Sequence, residues 1–184
     1  MSTPAAVPGA SSRPRTAGAR PPFEPEPAPV TVLGVGNSIM ADDGVGLELL
    51  AALQEHPRAG VNYVDGAVGG MELVPVVQDS TRLLILDAVA GTVPGTVVRL
   101  SGDQVPRMLA TKLSPHQVGL LDVLAASRLL GSEPDEVAVV GVVPELVDLR
   151  LGLSSSVSGA VPEAASAAEA IIDAWLAQTL AGSP

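Results

Sequence analysis

The chain has 184 residues, 47% of them hydrophobic, which is enough apolar material for one core of ordinary size and predicts a single domain. Its formal net charge of −10 argues against nucleic acid or an anionic membrane surface as a partner, because both would repel it. The absence of cysteine excludes disulfides, thiolate metal sites and cysteine nucleophiles.

Residues 1–29 differ in composition from the rest of the chain. They contain eight of the 17 prolines and show no apolar periodicity, so they cannot bury enough surface to offset the entropy lost on ordering. We predict a disordered Pro/Ala-rich tail over residues 1–29 and one α/β domain over residues 30–181. Deleting the tail is expected to leave the fold and the activity nearly unchanged.

The sequence gives no indication of a membrane segment or a secretory signal. No apolar run approaches the roughly 18 residues of a membrane span, and the amino terminus lacks the continuous apolar region of a signal peptide. We therefore expect no membrane insertion and a cytoplasmic location.

The stretch 30–53 predicts a strand, a loop and a helix in that order. The strand Thr31–Val35 is rich in β-branched residues, and it is followed by a glycine-containing loop with two adjacent acids, Asp42 and Asp43. The helix Gly44–Glu55 then has apolar residues on one face. Ligands of open α/β sheets bind at loops that leave the carboxyl ends of strands, which makes this loop a candidate site.

The later elements continue the alternation of strands and helices. They are a strand Val61–Val64, a helix Gly69–Asp79, a strand Leu83–Leu86, a strand Thr96–Leu100, a helix Lys112–Leu130, a strand Glu136–Val143, a loop Pro144–Ser156 and an alanine-rich helix ending near Leu180, with Pro162 in its first turn or at a kink. The wholly apolar strand Leu83–Leu86 is typical of a central strand. Too few residues connect it to Thr96–Leu100 for a parallel crossover, so the latter is expected to be antiparallel and at an edge.

This order of elements predicts the architecture of the domain. Alternating strands and helices form a three-layer α/β sandwich with a mostly parallel five-stranded sheet, one antiparallel strand and helices on both faces. Within it, Asp43 follows the first strand, Asp65 ends the second, and His116 begins a helix that enters from the same side. We expect these three side chains to converge at one edge of the sheet.

Two carboxylates and one imidazole form a ligand set suited to Zn, Ni, Mn or Fe, with coordination positions left open. The positive end of the helix dipole would also keep His116 neutral and able to bind metal. Each residue has a structural alternative as well. Asp42 or Asp43 can be an N-cap, Asp65 can belong to a plain turn, and Asp87 either bonds loop amides or faces the site.

Two further residues, His56 and Trp175, are predicted to be structural. His56 stands beside Pro57 at a helix end, and Trp175 lies on a helix with a periodic apolar face.

One other class of protein remains an alternative. A dinucleotide-binding protein would use the glycines after the first strand. Its G-x-G-x-x-G pattern, however, requires glycine where Ile39 stands, and phosphate would face two acids.

Five segments of the sequence together resemble one known family. In chain order they are Gly34–Gly46, Asp65–Leu73, Leu86–Ala88, Ser114–Leu120 and Gly141–Glu145, and the resemblance runs from about Val30 to Trp175. The family is that of the [NiFe]-hydrogenase maturation endopeptidases. Each segment is weak alone, but their order along the chain is specific.

The resemblance implies removal of a carboxyl-terminal extension from the precursor of the [NiFe]-hydrogenase large subunit after nickel has been inserted. It places the metal-contacting and catalytic positions at Asp43, Asp65 and His116; some family members have Glu at the first of these. Ni²⁺ would be supplied by the substrate, with Zn²⁺ or Cd²⁺ as possible surrogates. A non-catalytic nickel-dependent checkpoint protein that binds the loaded precursor would keep the same residues.

Overall fold

The structure is a computed structural model of the chain. It describes residues 29–102, 104–105 and 115–181, apart from the side chains of residues 115–119 and 121. The predicted tail before residue 29 and the predicted helix start at residues 112–114 lie outside the described residues.

The described strands form one mixed sheet. They are β1 (Val30–Val35), β2 (Val61–Ala67), β3 (Arg82–Ala88), β4 (Val97–Ser101) and β5 (Glu136–Val142), in the order β2-β1-β3-β5-β4. The first, second, third and fifth are parallel, and β4 pairs with β5 in the antiparallel direction at one edge. The predictions of a mixed sheet, of a central β3 and of an antiparallel edge strand are confirmed.

Helices cover both faces of this sheet. They are α1 (Val45–Gln54), α2 (Val74–Gln78), α3 (Pro115–Leu129) and α4 (Ser155–Ala181), with 3-10 helices at Ala41–Gly44 and Met71–Leu73. On one face α1 and α4 bury Leu49 and Ile172 against Leu84 of β3. On the other, α2 and α3 bury Val77 and Leu120 against Ile85 of the same strand. The predicted three-layer sandwich is confirmed.

Several boundaries differ from the predictions. The helix predicted over Gly69–Asp79 is a 3-10 helix, Met71–Leu73, followed by the short α2, Val74–Gln78. The strand β2 continues to Ala67, beyond the predicted end at Val64, because residues after Val64 go on pairing with β1. The last helix starts at Ser155, so the predicted loop ends earlier and Pro162 lies inside the helix instead of in its first turn. The helix begins there because Ser154 Oγ accepts the backbone N–H of Val157 at 3.4 Å and so satisfies a free donor.

The amino end of α1 lies directly on the strands that lead to the candidate site. A Cβ atom added to Gly46 would lie 2.2 Å from the Val35 carbonyl oxygen and 2.3 Å from that of Leu86. Only a glycine permits this approach of helix to strand backbone. The start of α1 is thereby fixed at the carboxyl ends of β1 and β3.

None of the helices in the described part of the chain combines the length and the apolar composition needed to cross a bilayer. The cytoplasmic location expected from the sequence stays a prediction.

Candidate functional site

The loops after β1 and β2 are joined by backbone hydrogen bonds at the carboxyl edge of the sheet. The Gly36 N–H donates to the Ala67 carbonyl at the end of β2, at 2.8 Å. The next residue, Asn37, donates its N–H to the Asp43 carbonyl at 3.2 Å. These contacts fix the turn that carries Asp43 beside the strand end that carries Asp65.

Asp43 lies in the 3-10 helix between β1 and α1, and the residue is 2% exposed. Gly36 makes this compact turn possible, because its φ of +139° is one that side chains rarely permit. A Cβ atom added to Gly36 would also lie 2.0 Å from the Asp43 carbonyl oxygen. The space beside Gly36 that a dinucleotide phosphate would need is therefore filled by the chain itself, which argues against the dinucleotide alternative.

Neither acid of the pair is an N-cap. The N-cap positions of the 3-10 helix and of α1 are Met40 and Gly44, and neither helix start has a capping hydrogen bond from a side chain. The N-cap interpretation of Asp42 and Asp43 is therefore wrong. The compact turn places Gly44, instead of an acid, directly before α1.

The side chain of Asp42 instead binds a distant segment of the chain. The residue is fully buried. Its Oδ2 accepts the backbone N–H groups of Glu145 and Leu146, both at 2.9 Å, and its Oδ1 accepts that of Ser154 at 2.6 Å. The donors follow Asp42 by 103 to 112 positions, so no local pattern in the sequence could reveal this role.

Backbone hydrogen bonds also join the turn around Asp42 to this distant segment. The Asp42 N–H donates to the Leu146 carbonyl at 3.1 Å, and the Ala41 N–H donates to the Arg150 carbonyl at 2.7 Å. In return, the Arg150 N–H donates to the Ile39 carbonyl at 3.0 Å. We refer to residues 145–154 as the 145–154 segment. Its hydrogen bonds to the turn involve Glu145, Leu146, Arg150 and Ser154.

The pKa of Asp42 reflects these contacts. Burial acts to raise it, but the hydrogen bonds from Ser154, Leu146 and Glu145 stabilise the ionised carboxylate and together hold the pKa below its usual value. Asp42 is therefore ionised in the folded protein at neutral pH.

We expect the difference in unfolding free energy between wild type and Asp42→Asn to shrink in acid. A carboxylate with a lowered folded pKa contributes stability that is fully present above its unfolded pKa of about 3.9 and is lost as the pH falls through the folded value. At pH 7 the variant should be about 3 kcal/mol less stable, since an amide group would face backbone donors.

Urea unfolding between pH 7 and pH 3 measures this difference. The exposed Asp173→Asn, which removes a surface contact with Arg58, is the control and should give a small and nearly constant difference. A gap between wild type and Asp42→Asn that stayed constant down to pH 3 would contradict the assignment.

Asp65 lies within β2, two residues before its end, so the prediction that it ends the strand is wrong. The register places Asp65 opposite Gly34 and Ala67 opposite Val35, which leaves Gly66 as the extra residue of a β-bulge. Asp65 Oδ1 accepts the Ala67 N–H at 2.9 Å, as in an Asx turn. The side chain is exposed, so it supports the turn and is also accessible at this edge.

His116 is the second residue of α3. This helix packs against α2 and the Met71–Leu73 turn, and Leu120 shares a cluster with Leu73. Because Leu73 follows closely after β2, the first turns of α3 lie towards the edge that carries Asp65. The side chain of His116 lies outside the described residues, so its convergence with the two acids stays a prediction.

Among the described side chains, no three of His, Cys, Asp and Glu form a group that could hold a metal ion. The side chain of His116 is not among them. Asp43 and Asp65 carry carboxylate oxygens at the carboxyl edge of the sheet, and the sequence contains no cysteine that could supply a thiolate. Such a sparse set suits a few added contacts to a metal ion better than tight binding of a free one.

The other residues considered from the sequence either make buried hydrogen bonds or lie away from the candidate site. Asp87 is fully buried, and its Oδ1 accepts the Ala88 N–H at 2.8 Å. His56 is exposed just beyond the end of α1, at the opposite edge of the sheet. Trp175 is 6% exposed, and its Nε1 donates to Glu136 at 3.0 Å. The prediction that Trp175 belongs to the core is confirmed.

A family model described as hydrogenase maturation protease matches residues 47–171. Among curated proteins, the hydrogenase 2 maturation protease of Escherichia coli is 36% identical over 156 residues, which cover 83% of this chain and 88% of that protein. The hydrogenase expression/formation protein HupD of Rhodobacter capsulatus is 36% identical over 160 residues, covering 84% and 75%.

Solved structures give the same result. The hydrogenase maturating endopeptidase HybD from E. coli superposes with a TM-score of 0.75 at 34% identity, covering 78% of this chain and 91% of that one. The [NiFe] hydrogenase maturation protease HybD from Thermococcus kodakarensis gives a TM-score of 0.64 at 30% identity, covering 77% and 97%. Sequence and fold agree over the same domain, and the chain belongs to the hydrogenase maturation protease family.

Proposed function

We propose that this chain removes a carboxyl-terminal extension from the large-subunit precursor of a [NiFe] hydrogenase after nickel has been inserted. Membership of the protease family supports peptide-bond hydrolysis, and one solved relative is a [NiFe] hydrogenase maturation protease. The observation that carries the proposal is the backbone hydrogen bond from Gly36 to Ala67. It holds the Asp43 turn and the Asp65 strand end together at the edge where α/β sheets bind ligands.

In this proposal, Asp43, Asp65 and His116 contact a nickel ion that the precursor already holds. The two acids offer oxygen ligands, and the imidazole of His116, the second residue of α3, would add one nitrogen ligand. Because the chain has no cysteine, these three groups would hold a free divalent ion only weakly. The nickel is thus part of the substrate, and its contacts bring the scissile bond to the site.

The reaction is the hydrolysis of one peptide bond. Water adds to the scissile carbonyl carbon and the bond from that carbon to nitrogen breaks. The products are a processed subunit with a new carboxylate and a released peptide with a new amino group. The chain contains no cysteine nucleophile, so an attack by water near the docked metal is the simplest route.

The test compares nickel-loaded with nickel-free precursor, each incubated with protein that has been treated with a chelator. Mass spectrometry of the intact precursor should show shortening of the loaded form alone. The chelator-treated protein should contain little metal and should take up Zn²⁺ or Cd²⁺ only when either is supplied in excess.

Two outcomes would replace the proposal. Cutting of both precursors, or one tightly held metal per chain before substrate is added, would indicate a peptidase with its own metal. Binding of the loaded precursor without any shortening would indicate the non-catalytic checkpoint protein.

A further inference from the structure

Asp42 is adjacent to Asp43 in the sequence, but its carboxylate is bound by another part of the chain. Its residue is 0% exposed, and its carboxylate accepts three backbone N–H groups of the 145–154 segment. A carboxylate accepts hydrogen bonds and donates none, which matches this cluster of donors. Whatever Asp42 contributes to the site must therefore act through its neighbours.

The Asp43 turn is held from two sides. On the inner side, the Asn37 N–H donates to the Asp43 carbonyl at 3.2 Å. On the outer side, the 145–154 segment binds Asp42 and Ala41 through the contacts described above. The Asp43 N–H donates to the Met40 carbonyl at 3.2 Å and closes the turn between these two supports. A shift of the outer support would change the direction of the Asp43 side chain.

We propose that Asp42 is a positioning residue, whose buried carboxylate fixes the turn of Asp43 against the 145–154 segment and so holds Asp43 in its working orientation. This inference rests on the proposed function for the role of Asp43. Residues that orient a metal-contacting group typically affect metal affinity or activity by about 10-fold to 100-fold when replaced.

If Asp42 had a purely structural role, its replacement would lower stability without a specific loss of activity. A second carboxylate of the chain, Glu136, offers a matched control for this case. Glu136 is also a carboxylate that accepts hydrogen bonds from two side chains, from Arg82 at 2.8 Å and from Trp175 at 3.0 Å. It lies at the first residue of β5, at the opposite edge of the sheet from Asp43. Glu136→Gln should therefore lower stability without reaching the site.

The experiment measures kcat and KM for cleavage of nickel-loaded precursor by wild type, Asp42→Asn, Asp42→Ala and Glu136→Gln, well below every melting temperature. Asp42→Asn keeps the size and one acceptor oxygen and is the variant expected to fold if Asp42→Ala does not. We expect kcat per folded molecule to fall by about 10-fold to 100-fold in the Asp42 variants, with KM within about threefold of wild type. Glu136→Gln should keep both constants.

Amide hydrogen exchange supplies a second readout that does not depend on activity. The Asn37 N–H reports on the Asp43 turn, because it donates to the Asp43 carbonyl. It should exchange faster in Asp42→Asn and at the wild-type rate in Glu136→Gln. Unchanged kcat, or unchanged exchange at Asn37, in a folded Asp42→Asn protein would overturn the inference. If wild type itself does not cut the precursor, the proposed function fails, and exchange at Asn37 alone decides whether Asp42 positions the turn.

Discussion

Replacing Asp43 or Asp65 by Asn, or His116 by Ala, is expected to lower cleavage of nickel-loaded precursor by about 100-fold to 1,000-fold, the usual loss for a preorganised group at a reacting centre. Each change removes one proposed contact to the nickel of the substrate. Folding should be little affected, and removal of one acid should relieve repulsion at the carboxyl edge in the metal-free protein. Mass spectrometry of the precursor and thermal unfolding of each variant measure the two effects.

The matched control for the imidazole is His56→Ala. His56 is exposed beyond the end of α1, at the opposite edge of the sheet, so its loss should change neither cleavage nor stability. If His116→Ala cut the precursor normally while His56→Ala did not, the assignment of the imidazole would be wrong.

The second large effect is expected from Gly46→Ala, which should destabilise the protein by about 3 kcal/mol or more. The new Cβ atom would lie 2.2 Å and 2.3 Å from the carbonyl oxygens of Val35 and Leu86. Both are backbone atoms of central strands, so neither can move aside as a flexible side chain would. Urea unfolding at pH 7 measures the loss.

Gly159→Ala is the matched control for this change. Gly159 lies in α4, and an added Cβ atom would meet no atom within 4 Å. Alanine should therefore stabilise the protein by about 0.5 to 1 kcal/mol through its higher helix propensity. A Gly46→Ala protein within about 1 kcal/mol of wild type would show that α1 can move away from the sheet.

The architecture could be predicted because each element has a local signal. The apolar run in β3 indicates a strand buried on both faces, and the short connection to β4 excludes a parallel pairing. The bulge at Gly66 and the early start of α4 could not be predicted in this way. The first depends on pairing with β1. The second depends on which of three consecutive serines, Ser154 to Ser156, caps the helix, and the local sequence does not distinguish them.

The position of the candidate site could be predicted from the sequence, but the roles of its residues could be predicted only in part. The order of strands and helices places Asp43 and Asp65 at one edge, since parallel strands end together. The different roles of Asp42 and Asp43 could not be predicted from the local sequence. A helix cap is the local interpretation of such a pair, whereas the true partners of Asp42 are backbone groups of a loop beyond β5.

The distance along the chain between Asp42 and its donors also sets an order of events during synthesis. The last donor is Ser154, 112 positions after Asp42 and behind all five described strands. A nascent chain that stops before this residue lacks at least one of the three N–H groups that bind the buried carboxylate and fix the turn of Asp43. The turn of Asp43 can therefore be fully fixed only after Ser154 has been synthesised, and a fragment of the chain that ends before Ser154 should lack this fixed turn.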